Sequence, residues 1–241
     1  MTKVEAIEKL MIDNGGTSTL SFIYNNIEKY YPTAKRSKDW EAGIRGVLYR
    51  EINKKQRFKK IGLSIYALKD YVEEQKPQPQ ETIRMHSYIE GICLEIGNFK
   101  KFKTYTADPS AIYRDNLSLN NFASLHSLPP FSYNEIIQEV KRIDVIWFNE
   151  KGLAFPQKVF EIVDSINTLD GAFNRSMQLH CFNTEFYIVA PEKHRNKFIK
   201  TITLERYNEN INRFKFINYE EIISLYESIS NANKIENKIF K

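Results

Sequence analysis

Asp144 lies inside one apolar run, Arg142-Ile-Asp-Val-Ile-Trp-Phe148, and Glu161 lies inside another, Lys158-Val-Phe-Glu-Ile-Val163. Acidic residues are depleted in strands and are expensive to bury without a partner. Both runs read as strong strands, joined through the turn signal Asn149-Glu-Lys-Gly152. Two carboxylates on consecutive strands joined by a short turn lie side by side, and their repulsion calls for a cation. Oxygen ligands of this kind favour Mg²⁺, with Mn²⁺ as a second choice. The competing reading places each acid at a strand end, paired with Arg142 or Lys158.

Other residues with chemical potential carry less signal. Lys158 precedes Glu161 by three positions, so strand alternation places it on the opposite face and makes it a poor base. His86, His126, His180 and His194 show no metal-ligand spacing and read as surface or packing residues. Cys93 and Cys181 flank apolar residues and read as buried thiols. Gly-rich phosphate loops, a Gly-x-Ser-x-Gly elbow and zinc-finger spacings are all missing from the sequence.

The elements that must position the two acids read as α/β. Ile83 to Ile96 is amphipathic and stops at Gly97, Phe102 to Ala107 is strand-like, and 108–135 is irregular and polar. Val140 to Phe148 and Lys158 to Val163 are the acid-bearing strands. Leu169 to Cys181 is helical in pattern, Glu185 to Ala190 is a third buried strand, and Pro191 opens a helix. A last helix includes Tyr219 to Ile229. The irregular 108–135 segment is long for a loop and is a candidate DNA-contacting element.

Glu74-Gln-Lys-Pro-Gln-Pro-Gln-Glu81 contains no apolar residue and reads as a linker. It separates a domain over 1–73 from one over 82–241. The N-terminal domain reads as three helices and a hairpin. Val4, Ile7, Leu10 and Met11 recur at helical spacing until Asn14-Gly15-Gly16. A second helix carries Leu20, Phe22, Ile23 and Ile27, and a third, capped by Ser37, buries Trp40, Ile44, Val47, Leu48 and Ile52. Arg57 to Leu68 reads as two short strands around Gly62.

Charge is concentrated in this domain. The chain of 241 residues has 35 Lys+Arg against 30 Asp+Glu, a formal +5. Residues 31–60 hold ten basic side chains against three acids, a net +7, so the rest of the chain carries −2. Three helices with a basic third helix and a following hairpin form a winged helix-turn-helix, whose third helix enters the major groove of double-stranded DNA. Lys38, Arg45, Arg50, Lys54 and Lys59 are the candidate contacts to guanine edges and phosphates. The alternatives are a solvated basic face, or a winged helix used for protein contacts.

Composition excludes other classes. Sixteen Phe, 14 Tyr and 42% hydrophobic residues build a core, which excludes disorder. Two Cys cannot staple a chain this long. No apolar run approaches membrane-spanning length, and the N-terminal residues lack an apolar signal-peptide region. The expected location is cytoplasmic, with no membrane partner.

Two resemblances sharpen these expectations. Val4 through Leu68, with Trp40…Ile44…Val47…Ile52 followed by Arg57-Phe58…Gly62…Tyr66-Ala67-Leu68, resembles HARE-type winged helices. Arg142-Ile-Asp-Val-Ile-Trp-Phe…Val-Phe-Glu-Ile…Phe-Tyr-Ile-Val-Ala-Pro-Glu resembles restriction-endonuclease-like proteins of the PD-(D/E)XK superfamily, over roughly 82–200. That resemblance implies a restriction-endonuclease-like α/β core, a mixed sheet flanked by helices. It also implies that Asp144 and Glu161 bind a divalent metal with the Ile162 carbonyl. Glu90 on the preceding helix is a possible extension of the site; its plain reading is a solvated helix acid.

The sequence departs from the PD-(D/E)XK pattern at its third position, where Val163 stands in place of Lys, an acid or an amide. Three explanations compete: the group has migrated to Asp164, Arg175 or Gln178; the protein is catalytically dead; or a substitution silences it. Impaired catalysis in this chain is the favoured reading. The expected function is a type II-like restriction endonuclease that hydrolyses phosphodiesters with a divalent metal. Cutting both strands implies a homodimer. The alternatives are a non-catalytic winged-helix DNA-binding protein with a degenerate nuclease-like domain, and a modification-dependent nuclease.

Overall fold

Thr2 opens the first helix, α1 (Lys3–Asp13), through a capping box. Its hydroxyl accepts from the Glu5 N–H at 3.3 Å, and the Glu5 carboxylate accepts from the Thr2 N–H at 2.8 Å. The helix stops at Asn14-Gly15-Gly16, where both glycines adopt positive φ, a conformation that disfavours side-chain-bearing residues. A computed structural model describes residues 1–54, 57–63, 65–72, 84–114 and 117–239 of the chain. It divides into two units, Met1–Pro77 and Gln78–Lys241. The expected linker over 74–81 lies outside the described residues.

In the first unit, α1 is followed by β1 (Thr17–Thr19), α2 (Leu20–Asn26), α3 (Trp40–Asn53), β2 (Phe58–Lys60) and β3 (Ile65–Leu68). The three strands form an antiparallel sheet in the order β1-β3-β2. Ile7, Leu10, Met11, Ile23, Ile27, Ile44, Leu48 and Phe58 make its core. Two sequence expectations change. Asp39, not Ser37, occupies the N-cap of α3, and its side chain makes no capping bond. The hairpin gains a third strand, β1, because the short polar run Thr-Ser-Thr is buried whole against β3.

The second unit contains α4 (Met85–Phe99), β4 (Lys103–Thr106), β5 (Ile112–Arg114), β6 (Leu117–Ser118), α5 (Asn134–Val140), β7 (Val145–Phe148) and β8 (Pro156–Ile162). It continues with α6 (Leu169–Met177), β9 (Glu185–Ala190), α7 (Arg195–Ile202), β10 (Phe214–Asn218) and α8 (Tyr219–Ile239). The main sheet has the order β10-β9-β8-β7-β4. Strands β4, β7 and β8 pair antiparallel, and β8, β9 and β10 pair parallel. The result is a mixed sheet flanked by helices. Among the described residues, no helix is long and apolar enough to cross a membrane.

Alternation along β7 and β8 divides their side chains between two helical layers. Ile146, Phe148 and Val159 join Leu169, Ala172 and Phe173 of α6 in one cluster. On the other face, Trp147 packs on Phe160 with ring centroids 4.6 Å apart and donates its indole N–H to the Cys93 carbonyl of α4 at 3.2 Å. The parallel β8–β9 pair requires a crossover connection, and α6 supplies it.

Three boundaries differ from the sequence expectation. Val140 ends α5 instead of starting a strand, and the chain turns at Lys141 to Ile143, with Ile143 N–H donating to the Val140 carbonyl at 3.0 Å. Gly97 does not stop α4. A Cβ there would lie 2.6 Å from both Thr104 Cγ2 and Trp147 Nε1, so the missing side chain lets the helix approach the sheet. The 108–135 segment is not wholly irregular, since it holds the small β5–β6 pair and the start of α5.

Candidate functional site

The antiparallel register pairs Val145 with Phe160 and Ile146 with Val159. Extended by one residue, it sets Asp144 opposite Glu161 on one face of the sheet. Asp144 stands just before β7, where the apolar run meets the turn. Its Oδ2 accepts the Ile162 backbone N–H at 2.7 Å, which fixes the carboxylate against β8. Cys93 is buried, whereas Cys181 is exposed, with its Sγ 3.2 Å from His180 Nε2.

Glu161 is fully buried, and Arg175 of α6 donates to both of its carboxylate oxygens, Nε to Oε1 at 2.8 Å and Nη2 to Oε2. This is the bidentate fork that guanidinium geometry favours. Burial pushes the Glu161 carboxyl well above the usual carboxylate range; Arg175 pulls against it and the nearby Asp144 charge adds to it. The same contact raises the Arg175 guanidinium above its ordinary value.

The structure brings two α4 residues to Asp144. His86 and Glu90 are four positions apart on the helix and so share a face. His86 Nε2 lies 3.6 Å from Asp144 Oδ2, and its Nδ1 lies 3.5 Å from Asp164 Oδ2. Burial pulls the imidazole pKa down, but the neighbouring Asp144 and Asp164 carboxylates outweigh it and hold it up at about 10. Asp164 is shifted the other way, first by His86. It also accepts the Tyr219 hydroxyl.

Glu90 is 1% exposed, and among the described residues its Oε2 has no hydrogen-bond partner. Burial, reinforced by the Asp144 charge, pushes its carboxyl up to about 9. The expectation of a solvated helix acid is therefore not met. Ligand-type atoms of His86, Glu90 and Asp144 all lie within 4.8 Å of one another. A buried oxygen lacking a donor, beside a second carboxylate and an imidazole, fits a divalent cation in chemistry and spacing.

The remaining sequence candidates are placed as follows. Val163 is 1% exposed and packs in the core with Leu169 and Phe173, so it presents no polar atom to the site. Ile162 donates its backbone N–H to Asp144, and its side chain is buried. Gln178 is exposed and donates to the Asn174 carbonyl at 3.3 Å; it does not join the cluster. Lys158 pairs with Glu185, as its opposite face requires. His86 is the member that sequence reasoning missed. Its spacing from Glu90 on one helix face was the available signal.

In the first unit, Lys38, Arg45, Arg50 and Lys54 are exposed. Arg45 donates to the Tyr24 hydroxyl at 2.8 Å, and Arg50 Nε donates to the buried Glu51 at 3.2 Å. Lys59 is turned inward, donating to the Tyr71 carbonyl. Arg45 and Arg50 lie on the exposed flanks of α3, either side of its buried face of Ile44, Val47 and Leu48, and Lys54 is the exposed C-cap residue.

No curated protein matches the chain. No solved structure matches it either. The family model of the type II restriction enzyme NmeDI C-terminal domain matches residues 68–240, well over half its length, and the chain belongs to that family.

Proposed function

We propose that this protein is a type II restriction endonuclease-like nuclease, with a PD-(D/E)XK-type centre in the second unit and a winged helix, HARE-like in pattern, in the first. Family membership supports the restriction-enzyme class. The observation that carries the catalytic reading is the meeting of Asp144, which lies across from Glu161 on the next strand, with buried Glu90, whose Oε2 has no partner among the described residues. The substrate is double-stranded DNA, and two copies of the chain serve its two strands.

The reaction is phosphodiester hydrolysis. When bound, a divalent ion, Mg²⁺ or Mn²⁺, supplies positive charge at the scissile phosphate and acidifies water. Asp144 is held in place by the Ile162 N–H, so its second oxygen is free to serve as a ligand. Glu90 brings a second carboxylate from α4. Arg175 keeps Glu161 neutralised inside the fold and carries a guanidinium to the end of the central strand β8, where it would stabilise developing phosphate charge. The exposed flanks of α3 supply cations to the DNA backbone and base edges.

The test is digestion of a long duplex with the full chain, with Mg²⁺, with Mn²⁺ and with chelator, followed by sequencing of the ends. Discrete ends sharing a short motif, dependent on metal, are expected. Asp144→Asn keeps the fold and lowers cleavage on the order of 100-fold or more. Absent cleavage with either ion, or cleavage unchanged in Asp144→Asn, would overturn the assignment. The occupation of Glu161 by Arg175 and the burial of Val163 favour one second reading, a DNA-binding protein with a degenerate nuclease domain. That reading predicts DNA binding with no cleavage under any of these conditions.

A further inference from the structure

The three groups that meet at the site are one ring nitrogen and two carboxylates, not an all-oxygen set. His86 and Glu90 come from one face of α4, and Asp144 comes from the residue just before β7. Building on the nuclease reading, we propose that the cation is held by His86, Glu90 and Asp144 together, and that the imidazole makes the site select a first-row transition ion such as Mn²⁺ over Mg²⁺.

Two independent features support a built site. Glu90 is almost completely buried, and its Oε2 lacks a hydrogen-bond partner among the described residues. A buried carboxyl oxygen without a donor is a costly arrangement that a bound cation would satisfy. His86 is also held at both nitrogens. Nδ1 faces Asp164, itself bonded to the Tyr219 hydroxyl, and Nε2 faces the Asp144 carboxylate. A carboxylate on the far nitrogen is the arrangement that orients a metal-ligating imidazole.

Ion preference follows from ligand type. Mg²⁺ prefers oxygen ligands and gives up its water reluctantly, so an imidazole adds little to its binding. Transition ions bind nitrogen better. Glu161, the other acid of the pair, is not in the set because Arg175 takes both of its oxygens. The rival explanation is that His86 is only a charge partner for Asp144 and Asp164, in which case ion preference does not involve it.

The test uses the full chain without DNA. Titration calorimetry with MnCl₂ and with MgCl₂, each alone, is run on wild type, His86→Asn, Glu90→Gln, Asp144→Asn and, as a control, His126→Asn. Wild type binds Mn²⁺ about 10-fold or more tighter than Mg²⁺. His86→Asn weakens Mn²⁺ binding by about 10–100-fold and Mg²⁺ binding much less. Glu90→Gln and Asp144→Asn weaken both ions, and His126→Asn changes neither.

Pulsed electron paramagnetic resonance of Mn²⁺ on the wild-type protein adds a readout that needs no variant to fold. A ¹⁴N coupling from a ligated imidazole is expected. Equal affinity for the two ions, unchanged Mn²⁺ binding in folded His86→Asn, or no nitrogen coupling overturns the proposal. Metal-dependent cleavage without nitrogen coupling sinks this inference and leaves the nuclease reading standing. Nitrogen coupling without cleavage of any DNA does the reverse.

Discussion

Arg175 donates to both carboxylate oxygens of Glu161, so the most deeply buried acid of the site is neutralised by a helix packed on the same face of the sheet. Arg175 is itself partly exposed, so the pair is open to solvent on one side only.

Removing one partner of this pair strands the other. Arg175→Ala leaves a carboxyl in the core without its donors and destabilises the fold by about 2–4 kcal/mol, after allowing for the solvent on the arginine side. The double variant Arg175→Met/Glu161→Gln recovers part of that loss. Urea unfolding at pH 7 reads both. An Arg175→Ala midpoint equal to wild type would show that the pair carries no stability.

Gly97 and Gly46 are both helical glycines with opposite surroundings. A Cβ at Gly97 meets Trp147 and Thr104 at 2.6 Å, whereas Gly46 on α3 has open space. Gly97→Ala is therefore destabilising by about 1–3 kcal/mol through overpacking. Gly46→Ala is stabilising by roughly 0.5–1 kcal/mol through helix propensity. Thermal unfolding should separate the two signs, and the same sign for both would contradict the packing argument.

Glu185 has a pH signature. Its hydrogen bond from Lys158, then that from Tyr187, lowers its carboxyl from 4.5 to about 2. A depressed folded-state value adds stability that is fully present above the unfolded value. That contribution is lost as pH falls from about 4.5 towards 2. Glu185→Gln should lose less stability than wild type across that window, measured by denaturant midpoints at pH 5, 3.5 and 2.5. Parallel curves would mean that the ion pair, half exposed as it is, contributes nothing.

The proposed DNA-reading surface predicts a salt effect. Arg45→Ala and Arg50→Ala, on the exposed flanks of α3, should each weaken duplex binding and reduce its salt slope by about 1 if they contact phosphate. Lys59→Ala should change binding less, since its ammonium is engaged by the Tyr71 carbonyl. Fluorescence anisotropy across a salt series distinguishes them. Equal effects at all three positions would shift the reading surface from α3 towards the hairpin.

The acid pair was legible because Asp144 and Glu161 interrupt apolar runs, and a carboxylate in such a run demands a local explanation. The strands β8 and β9 were legible for the same reason, as continuous apolar segments. What their partners would be was not. Arg175 is fourteen residues beyond Glu161, and only the parallel β8–β9 connection through α6 brings it back. Glu90 was a candidate whose plain reading was a solvated acid, and His86 was missed. Their four-residue spacing is common on any helix, and neither residue shows in sequence that its face points inward.

Boundaries failed where local signals were ambiguous. Val140 belongs to an apolar stretch that suits strand or helix, and it is taken up as the last residue of the helix Asn134–Val140. Gly97 reads as a stop signal in sequence, yet it marks contact with Trp147. Strand β10 is the short run Phe214–Asn218 at the sheet edge, beside β9, with too little periodicity to announce itself.

Helix α4 holds His86 and Glu90 near its start, and Glu95 lies just over one turn further along. Glu95 is fully buried, and its carboxylate accepts from the Tyr113 hydroxyl at 2.9 Å and the Tyr226 hydroxyl at 3.1 Å, with Arg114 Nη1 3.5 Å away. A helix advances about 100° per residue. Rotating α4 by a single position would pull Glu95 off both tyrosines and carry Glu90 away from Asp144 in the same movement. The Glu95 clamp therefore acts as an index mark that sets the angular phase of the helix, and α8, through Tyr226, takes part in aiming His86 and Glu90.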